Sequence, residues 1–312
     1  MKMLLSVVFS FKNEESNLPE LIKRVRTAIT GTGLDYEMIF VDDASTDSSL
    51  KILQAERKQD QRIKFITMSR CFGYTPCVLA GLKKANGDAV IYMDCDLQDP
   101  PELIPQLIEK WQSGADVVHT TRTKRHGESP IKMLLTSLAY KAINLFSKIS
   151  IPENTGDFKL FSRRALNEVL NLREDDPFMR GLSLWVGFKQ EFVYYEREQR
   201  YAGITHFSLF RSLNPAKEFI RGITSFSVAP LYFALFMGMA VSCCAFLYLA
   251  YIIISRVFFG MHLPGWPAMM ATMLFLGGTI LFTVGVLGIY IGKIYETMKR
   301  RPGCIIEHEE GF

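Results

Sequence analysis

Apolar and polar positions come in blocks along the first part of the chain, and each block has its own period. Leu4–Phe11 is a continuous apolar run of strand length, closed by the polar Lys12-Asn13-Glu14-Glu15. Helical spacing follows from about Leu18 to Ile29, then a second strand at Tyr36–Val41 that ends in Asp42-Asp43. The unit recurs as a helix over 48–58, a strand at Ile63–Met68 and a helix from about Thr75 to Ala85. A strand at Val90–Met93, a helix over 102–113 and a strand at Asp116–Thr121 complete the series. Strands alternating with helices at this spacing predict right-handed crossovers and a mainly parallel sheet covered on both faces. Beyond it, 154–161 reads as a turn and then a strand, a helix starting near Pro177 ends by Gly187, and Phe192–Tyr195 is a further strand.

Two later stretches break the pattern. Val228–Ile254 and Ala268–Ile291 carry no charged residue, and each exceeds the roughly 20 apolar residues that a membrane-spanning helix needs. Lys217 and Arg221 precede the pair, Lys293, Lys299, Arg300 and Arg301 follow it, and the connector holds only Arg256. That basic excess predicts a cytoplasmic N-terminal domain. A helical hairpin buried in a soluble core is the competing reading, but two successive uncharged spans are rare outside membranes. Ile131, Leu134, Leu135, Leu138, Ala142, Leu145 and Phe146 form one helical stripe with Lys132 and Lys141 off it. The stripe fits a core-facing helix or one lying on a membrane surface. The expected organisation is a domain over 1–210 that includes an interface helix at 130–148. A juxtamembrane amphipathic helix at 211–227, two transmembrane helices over 228–292 and a cytosolic tail at 293–312 follow.

Composition changes this picture little. The 48% hydrophobic content averages a soluble part with a membrane part, and the net charge of +4 is mild, with nothing that points to nucleic acid. Six cysteines follow no zinc or disulfide spacing and read as reduced cytosolic thiols. The opening residues pass straight into Lys12-Asn13-Glu14-Glu15 and read as a strand rather than a signal peptide.

The candidate chemistry sits where strands end. Asp94-Cys95-Asp96 closes one of them, and alternate residues of extended chain point the same way, so the two carboxylates share a face. A hard divalent cation is the natural occupant, because Mg²⁺ takes one or two carboxylates plus substrate phosphates. A solvated acidic turn is the plainer reading of an isolated Asp-x-Asp. Asn13, Glu15, Asp42, Asp43, 70–73, Gln98 and Arg122 also fall just after strands, and in such sheets ligands bind beyond the carboxyl ends. Convergence on one rim favours a functional site. No Gly-x-Gly-x-x-Gly or P-loop sequence follows any strand, which argues against a dinucleotide fold of the usual kind and a P-loop NTPase.

Six segments in order carry a family resemblance. They are Lys12-Asn-Glu-Glu15, Val41-Asp-Asp-Ala-Ser-Thr-Asp47, Asp94-Cys-Asp-Leu-Gln-Asp-Pro-Pro101, Gly156-Asp-Phe158, Gly222-Ile-Thr-Ser-Phe-Ser227 and Gly285-Val-Leu-Gly-Ile-Tyr-Ile-Gly-Lys-Ile-Tyr295. With the two terminal spans, they make the chain resemble family 2 glycosyltransferases of the polyprenyl-phosphate type. These are bactoprenol glucosyltransferases of the GtrB kind and, more distantly, dolichyl-phosphate mannose synthases. The resemblance implies an α/β GT-A fold (Rossmann-like, mainly parallel) followed by two transmembrane helices. It implies an inverting transfer of a hexose, glucose from UDP-glucose in the first instance, onto polyprenyl (undecaprenyl) phosphate with Mg²⁺ or Mn²⁺. The product would feed modification of a surface polysaccharide, from an enzyme in the bacterial inner membrane with its catalytic domain cytoplasmic.

By position, the resemblance places Phe11, Asn13, Glu15, Asp42, Asp43, Gly73, Asp94 and Gln98 on the nucleotide sugar. Asp94, Asp96 and Gln98 would take the metal, and Arg122, Arg125 and His206 the acceptor phosphate. Asp96, Asp157 and Arg200 would act in catalysis, Asp157 as an orienting group rather than a base. Plainer readings stand beside these: a turn carboxylate for Asp157, solvated charges for Arg122 and Arg125. A homo-oligomer such as a tetramer and a flippase partner fit the same picture. The chain departs from the family pattern in three places. Cys71 stands for Asn, Thr205-His206 for Ser-Lys, and Ile289 for Glu; His206 replaces a permanent cation by one that titrates near neutrality. The rivals are a mannosyl or modified-sugar transferase on the same lipid, or a non-catalytic nucleotide-sugar-binding scaffold for a flippase. No Gln-x-x-Arg-Trp is present, which argues against a processive synthase.

Overall fold

The apolar run that opens the chain becomes a central strand, β1 (Leu4–Phe11), buried on both faces. The structure, a computed structural model, describes residues 2–125, 152, 155–172, 174, 177–197, 224, 227–259 and 265–312. The interface helix expected at 130–148 and nearly all of the juxtamembrane helix at 211–227 lie outside the described residues. Two compact units result, Met1–Ser225 with Arg301–Phe312, and Phe226–Arg300.

In the first unit β1 is followed by α1 (Leu18–Thr30), β2 (Asp35–Asp42), α2 (Ser49–Gln59), β3 (Ile63–Met68), α3 (Tyr74–Lys84) and β4 (Ala89–Asp94). A 3₁₀ turn at Pro101–Leu103 leads into α4 (Ile104–Gln112) and β5 (Val117–Arg125). Then come β6 (Thr155–Ser162), α5 (Arg163–Asn171), α6 (Met179–Trp185) and β7 (Gln190–Arg197). The sheet has eight strands in the order β7-β5-β6-β4-β1-β2-β3-β8, where β8 is Ile306–Glu310. β1 pairs parallel with β2 and β4, β2 with β3, and β5 with β7. The expectation of a mainly parallel α/β sheet holds, with two antiparallel insertions. β6 runs against both β4 and β5, and β8 against β3.

Alternation along the strands builds two apolar layers. Val7, Phe9 and Phe11 face α1 and α4, with Phe9 stacked on Phe40 at 4.7 Å between ring centroids. Val8, Ile39 and Val41 face the other way, under α3, α5 and Met179 of α6. The capping hydroxyl of Ser162 accepts from Ala165 N and starts α5, a helix that the apolar pattern does not announce. α3 approaches the sheet closely at Gly81, where an added Cβ would collide with Val8 Cγ1 and lie 3.0 Å from Val41 Cγ2. Gly81→Ala should therefore destabilise by about 1–3 kcal/mol of overpacking, more than the roughly 1 kcal/mol that helix propensity returns. Equilibrium denaturation checks this, and a stabilised variant would refute it.

The second unit is a pair of helices, α7 (Ala229–Phe259) and α8 (Trp266–Met298). Ala229–Ile254 and Met269–Met298 each have mean hydropathy 2.1, and neither is buried. Phe233 meets Phe282 edge-on at 6.3 Å, and Tyr290 OH donates to Ser227 O at 2.8 Å. Helices apolar on all sides and exposed suit lipid rather than water. The segment expected as a tail from 293 divides differently. Residues up to Met298 finish α8, and 306–310 add a strand to the sheet of the first unit. The exposed edge of β3 offers unpaired backbone groups, and β8 satisfies them.

Candidate active site

Strand direction decides what meets at the rim. The carboxyl ends of β1, β2, β3, β4 and β5 lie together, and antiparallel β6 delivers its first residues, Thr155 to Asp157, to the same edge. Tyr92 pairs with Lys159, so continuing that register by two positions sets Asp94 opposite Asp157. Along Asp94-Cys95-Asp96-Leu97 the apolar members, Cys95 and Leu97, enter the core, which turns both aspartates the other way. Leu97 adopts φ 58°, a conformation uncommon outside glycine, and its buried side chain holds it there. Gln98 N donates to Asp96 Oδ1 at 3.1 Å and closes the turn.

The charge balance at this point is uneven. Burial, then Asp157, Asp96 and Asp99 in that order, push the Asp94 carboxyl up to about 7. Asp157 behaves oppositely. Burial pulls it up, but Arg180 of α6, with Lys159 and Arg122, outweighs burial and holds it below the ordinary carboxylate range. Arg180 Nε donates to Asp157 Oδ1 at 3.0 Å and Oδ2 at 3.1 Å, and Nη2 also bonds Oδ2. An ionised carboxylate clamped in this way is a poor proton acceptor and a firm orienting group. Beneath it the fully buried Lys159 donates to Ser183 Oγ at 2.6 Å, and burial lowers its ammonium to about 7. Burial raises the phenols of Tyr74 and Tyr92 well above their usual value, helped most by Asp94 at Tyr74 and by Asp157 at Tyr92, so both are neutral hydroxyls.

Arg122 lies at the rim on β5. Its Nη2 donates to Asp99 Oδ2 at 3.2 Å and its Nε to Tyr195 OH at 3.0 Å, while that hydroxyl also bonds Asp99. Gly156 permits this: a Cβ there would lie 3.3 Å from Arg122 Nη2. Arg125 ends the same strand.

Across the rim, Asp42 accepts from Ser45 N at 2.9 Å, and burial outweighs that bond to raise its carboxyl above the ordinary value. Asn13, at φ 56°, accepts Thr46 N at 2.8 Å, and Glu15 accepts Ser48 N at 2.9 Å. Three residues expected on the nucleotide sugar have structural contacts of their own. Phe11 is 4% exposed and its ring packs in the core. Asp43 accepts from Phe72 N at 2.6 Å and from Gly73 N and Cys71 Sγ at 3.0 and 3.1 Å, so it anchors the 71–73 loop. Gly73, at φ 95°, lets that loop turn into α3. The thiol at position 71 thus keeps the loop tied to Asp43 despite the departure there. Arg200 and His206 lie outside the described residues.

Sequence reasoning missed Asp99, Tyr195, Arg180 and Ser183 as partners of the site. Asp99 stood in the quoted motif, but the other three lie on elements with no local signal of function. Among the described residues, no group of three or more His, Cys, Asp or Glu forms a closed metal cage. A pair of carboxylates suits a hard dication that shares its coordination with phosphate and water.

A sequence model described as glycosyl transferase family 2 matches residues 6–170. An uncharacterized glycosyltransferase of Synechocystis sp. is 40% identical over 298 residues, 96% of this chain and 93% of that one. A bactoprenol glucosyl transferase of Shigella phage SfV is 41% identical over 308 residues, 99% of each chain. A prophage bactoprenol glucosyl transferase homolog of Escherichia coli K12 is 40% identical over 305 residues, 98% of this chain and 99% of that one. Among solved structures, glucosyl-3-phosphoglycerate synthase of Mycobacterium tuberculosis with Mn²⁺, UDP and phosphoglyceric acid matches with TM-score 0.46 at 20% identity, over 71% of this chain and 76% of that one. With a family match over more than half its length and relatives of about 40% identity from end to end, the chain belongs to glycosyl transferase family 2.

Proposed function

We propose that this protein moves a hexose, glucose from UDP-glucose in the first instance, onto a polyprenyl phosphate at the cytoplasmic face of a bacterial inner membrane. The observation that carries the reading is the crowding of Asp94, Asp96, Asp99 and Asp157 at the rim, where burial first, and then the three neighbouring carboxylates, raise Asp94 to about 7. It occurs in a chain that matches bactoprenol glucosyl transferases over nearly its whole length. Mutual repulsion of that kind fits residues built to hold a cation.

Mg²⁺ or Mn²⁺ held by Asp94 and Asp96, with Gln98 beside them, would neutralise the charge that develops on a departing diphosphate. The chain's own residues do the rest. Asn13, Glu15 and Asp42 flank the nucleoside side of the rim. Asp157, fixed by Arg180, orients the reacting groups and takes no proton. None needs to be taken, since a phosphate monoester with a second pKa near 6 is already an anion. Arg122, held at the rim by Asp99 and Tyr195, presents a cation to that phosphate. One direct displacement inverts the anomeric centre.

The membrane reading draws on chain path. Sequence from before and after the two apolar helices enters one folded sheet unit, so a pair that crosses the bilayer must cross it an even number of times. Lys217 and Arg221 before the first helix, and Lys293, Lys299, Arg300 and Arg301 around the end of the second, mark those two ends as cytoplasmic by the positive-inside rule.

Membranes containing the protein, incubated with a short polyprenyl phosphate, Mn²⁺ and a panel of nucleotide sugars, should yield a lipid heavier by one hexose. EDTA should abolish the product and Mn²⁺ restore it. A mannosyl or modified-sugar donor would show as a different mass. No sugar-bearing lipid from any donor would leave the scaffold reading, and undiminished product in EDTA would remove the metal.

A further inference from the structure

The last residues of the chain reach the edge of the site from beyond both apolar helices. β8 pairs with β3 from Phe65↔Glu310 to Met68↔Ile306. One residue past that ladder, Ser69 N donates to Ile305 O at 3.0 Å. Ser69 begins the loop 69–73, whose far end Asp43 holds through Phe72 N, Gly73 N and Cys71 Sγ. Cys304 packs against the same apolar layer as Phe72 and Tyr74, and it is an electrostatic neighbour of Cys77, which lies beside Asp43. The loop is therefore gripped from both sides, once from β2 and once from the C-terminal segment.

The composition of β8 says what the second grip is for. Four of its five residues, Ile306 to Glu309, are exposed, and no residue of 305–312 belongs to either core layer. It is held by its ladder, by Lys84–Glu309 at 2.5 Å and Arg57–Glu310 at 3.3 Å, and by the Phe312 ring near the ammonium groups of Lys64 and Lys84. A strand that buries so little apolar surface adds little to the stability of the core. It closes an open edge and fixes the chain next to it.

We propose that residues 304–312 position the 69–73 loop for nucleotide binding, so that donor affinity depends on a segment delivered from beyond the membrane helices. This rests on the nucleotide-sugar reading of the rim. The test compares three full-length-derived proteins in detergent: the native chain, a chain ending at Cys304, and Glu309→Lys/Glu310→Lys. Calorimetry reads Kd for UDP and GDP, and the lipid assay reads KM and kcat for the sugar donor. In both variants Kd and KM should rise about tenfold, within the range of coupled sites. At saturating donor, kcat should stay within about twofold. A synthetic Ile305–Phe312 peptide should restore the truncated chain, and added Arg57→Glu/Lys84→Glu should restore the charge-reversed one.

Unchanged nucleotide affinity in the variants, or a loss that neither peptide nor charge swap repairs, overturns the proposal alone. A native chain that binds neither nucleotide overturns the donor reading and this proposal with it. Should the truncated chain fail to fold, the charge-reversed chain and its swap decide.

Discussion

Asp94→Asn should abolish sugar transfer and leave the protein at least as stable as the native chain. Turnover should fall by roughly 10³-fold, the scale of losing one group that stabilises transition-state charge. Stability should move the other way because the native carboxylate is under strain from its surroundings. Burial, Asp157, Asp96 and Asp99 all disfavour its ionised form and raise it from an ordinary 3.8 to about 7. A carboxyl raised in the folded state costs stability where it must ionise, so the folded protein gains as pH falls from about 7 towards 4. In EDTA, therefore, the Asn variant should exceed the native chain most at pH 8, with the gap closing near pH 4. Thermal melts at the two pH values and a donor-saturated rate assay check both halves. A variant that turns over within tenfold of native, or one that melts well below it at pH 8, would count against the crowded-carboxylate account.

Arg122→Ala should carry the largest loss of stability, on the order of 3–5 kcal/mol, because it leaves a buried charge without its partner. The Asp99 side chain is 0% exposed and that of Arg122 9%. Tyr195 OH remains to bond Asp99, but one neutral hydroxyl does not replace a guanidinium. Tyr195→Phe should accordingly cost only about 1 kcal/mol, the usual worth of one hydrogen bond. Asp99→Asn combined with Arg122→Met removes both charges and should recover most of the stability, yet not the transfer reaction, since the cation at the rim is gone. Urea titration of the four chains separates these outcomes. If Arg122→Ala unfolds no more easily than Tyr195→Phe, the pair is not a buried support of the rim.

These two sites differ in how far the sequence discloses them. Asp94 and Asp96 are legible because period-two alternation is local. Cys95 and Leu97 are apolar and enter the core, which keeps Asp94 and Asp96 off that layer. The Asp99–Arg122–Tyr195 cluster is not legible, since Tyr195 lies 96 residues from Asp99 and on a strand whose pattern says only that it is a strand. Lys159 makes the point more sharply. In the sequence it is a charge inside a strand, which suggests a solvated position, yet antiparallel β6 carries it between β4 and β5 and buries it completely. Phe11 and Asp43 are the converse. Both fall at strand ends, and their structural contacts, Phe11 with the core and Asp43 with the 71–73 loop, are set by segments that the local pattern does not name.

The alternating strands and helices through β5, the two uncharged spans and the position of the aspartate pair at the end of β4 are all legible in the chain alone. Each of these follows from hydrophobic periodicity within a dozen or two residues, which chain geometry converts directly into burial. Folding in three dimensions sets the rest: β6 enters against its neighbours, Arg180 clamps Asp157, and the last strand, β8, closes the edge beside the 69–73 loop. Those features come from satisfying backbone edges and buried charges with whatever distant segment reaches them, and partners so chosen leave no periodic trace in the chain.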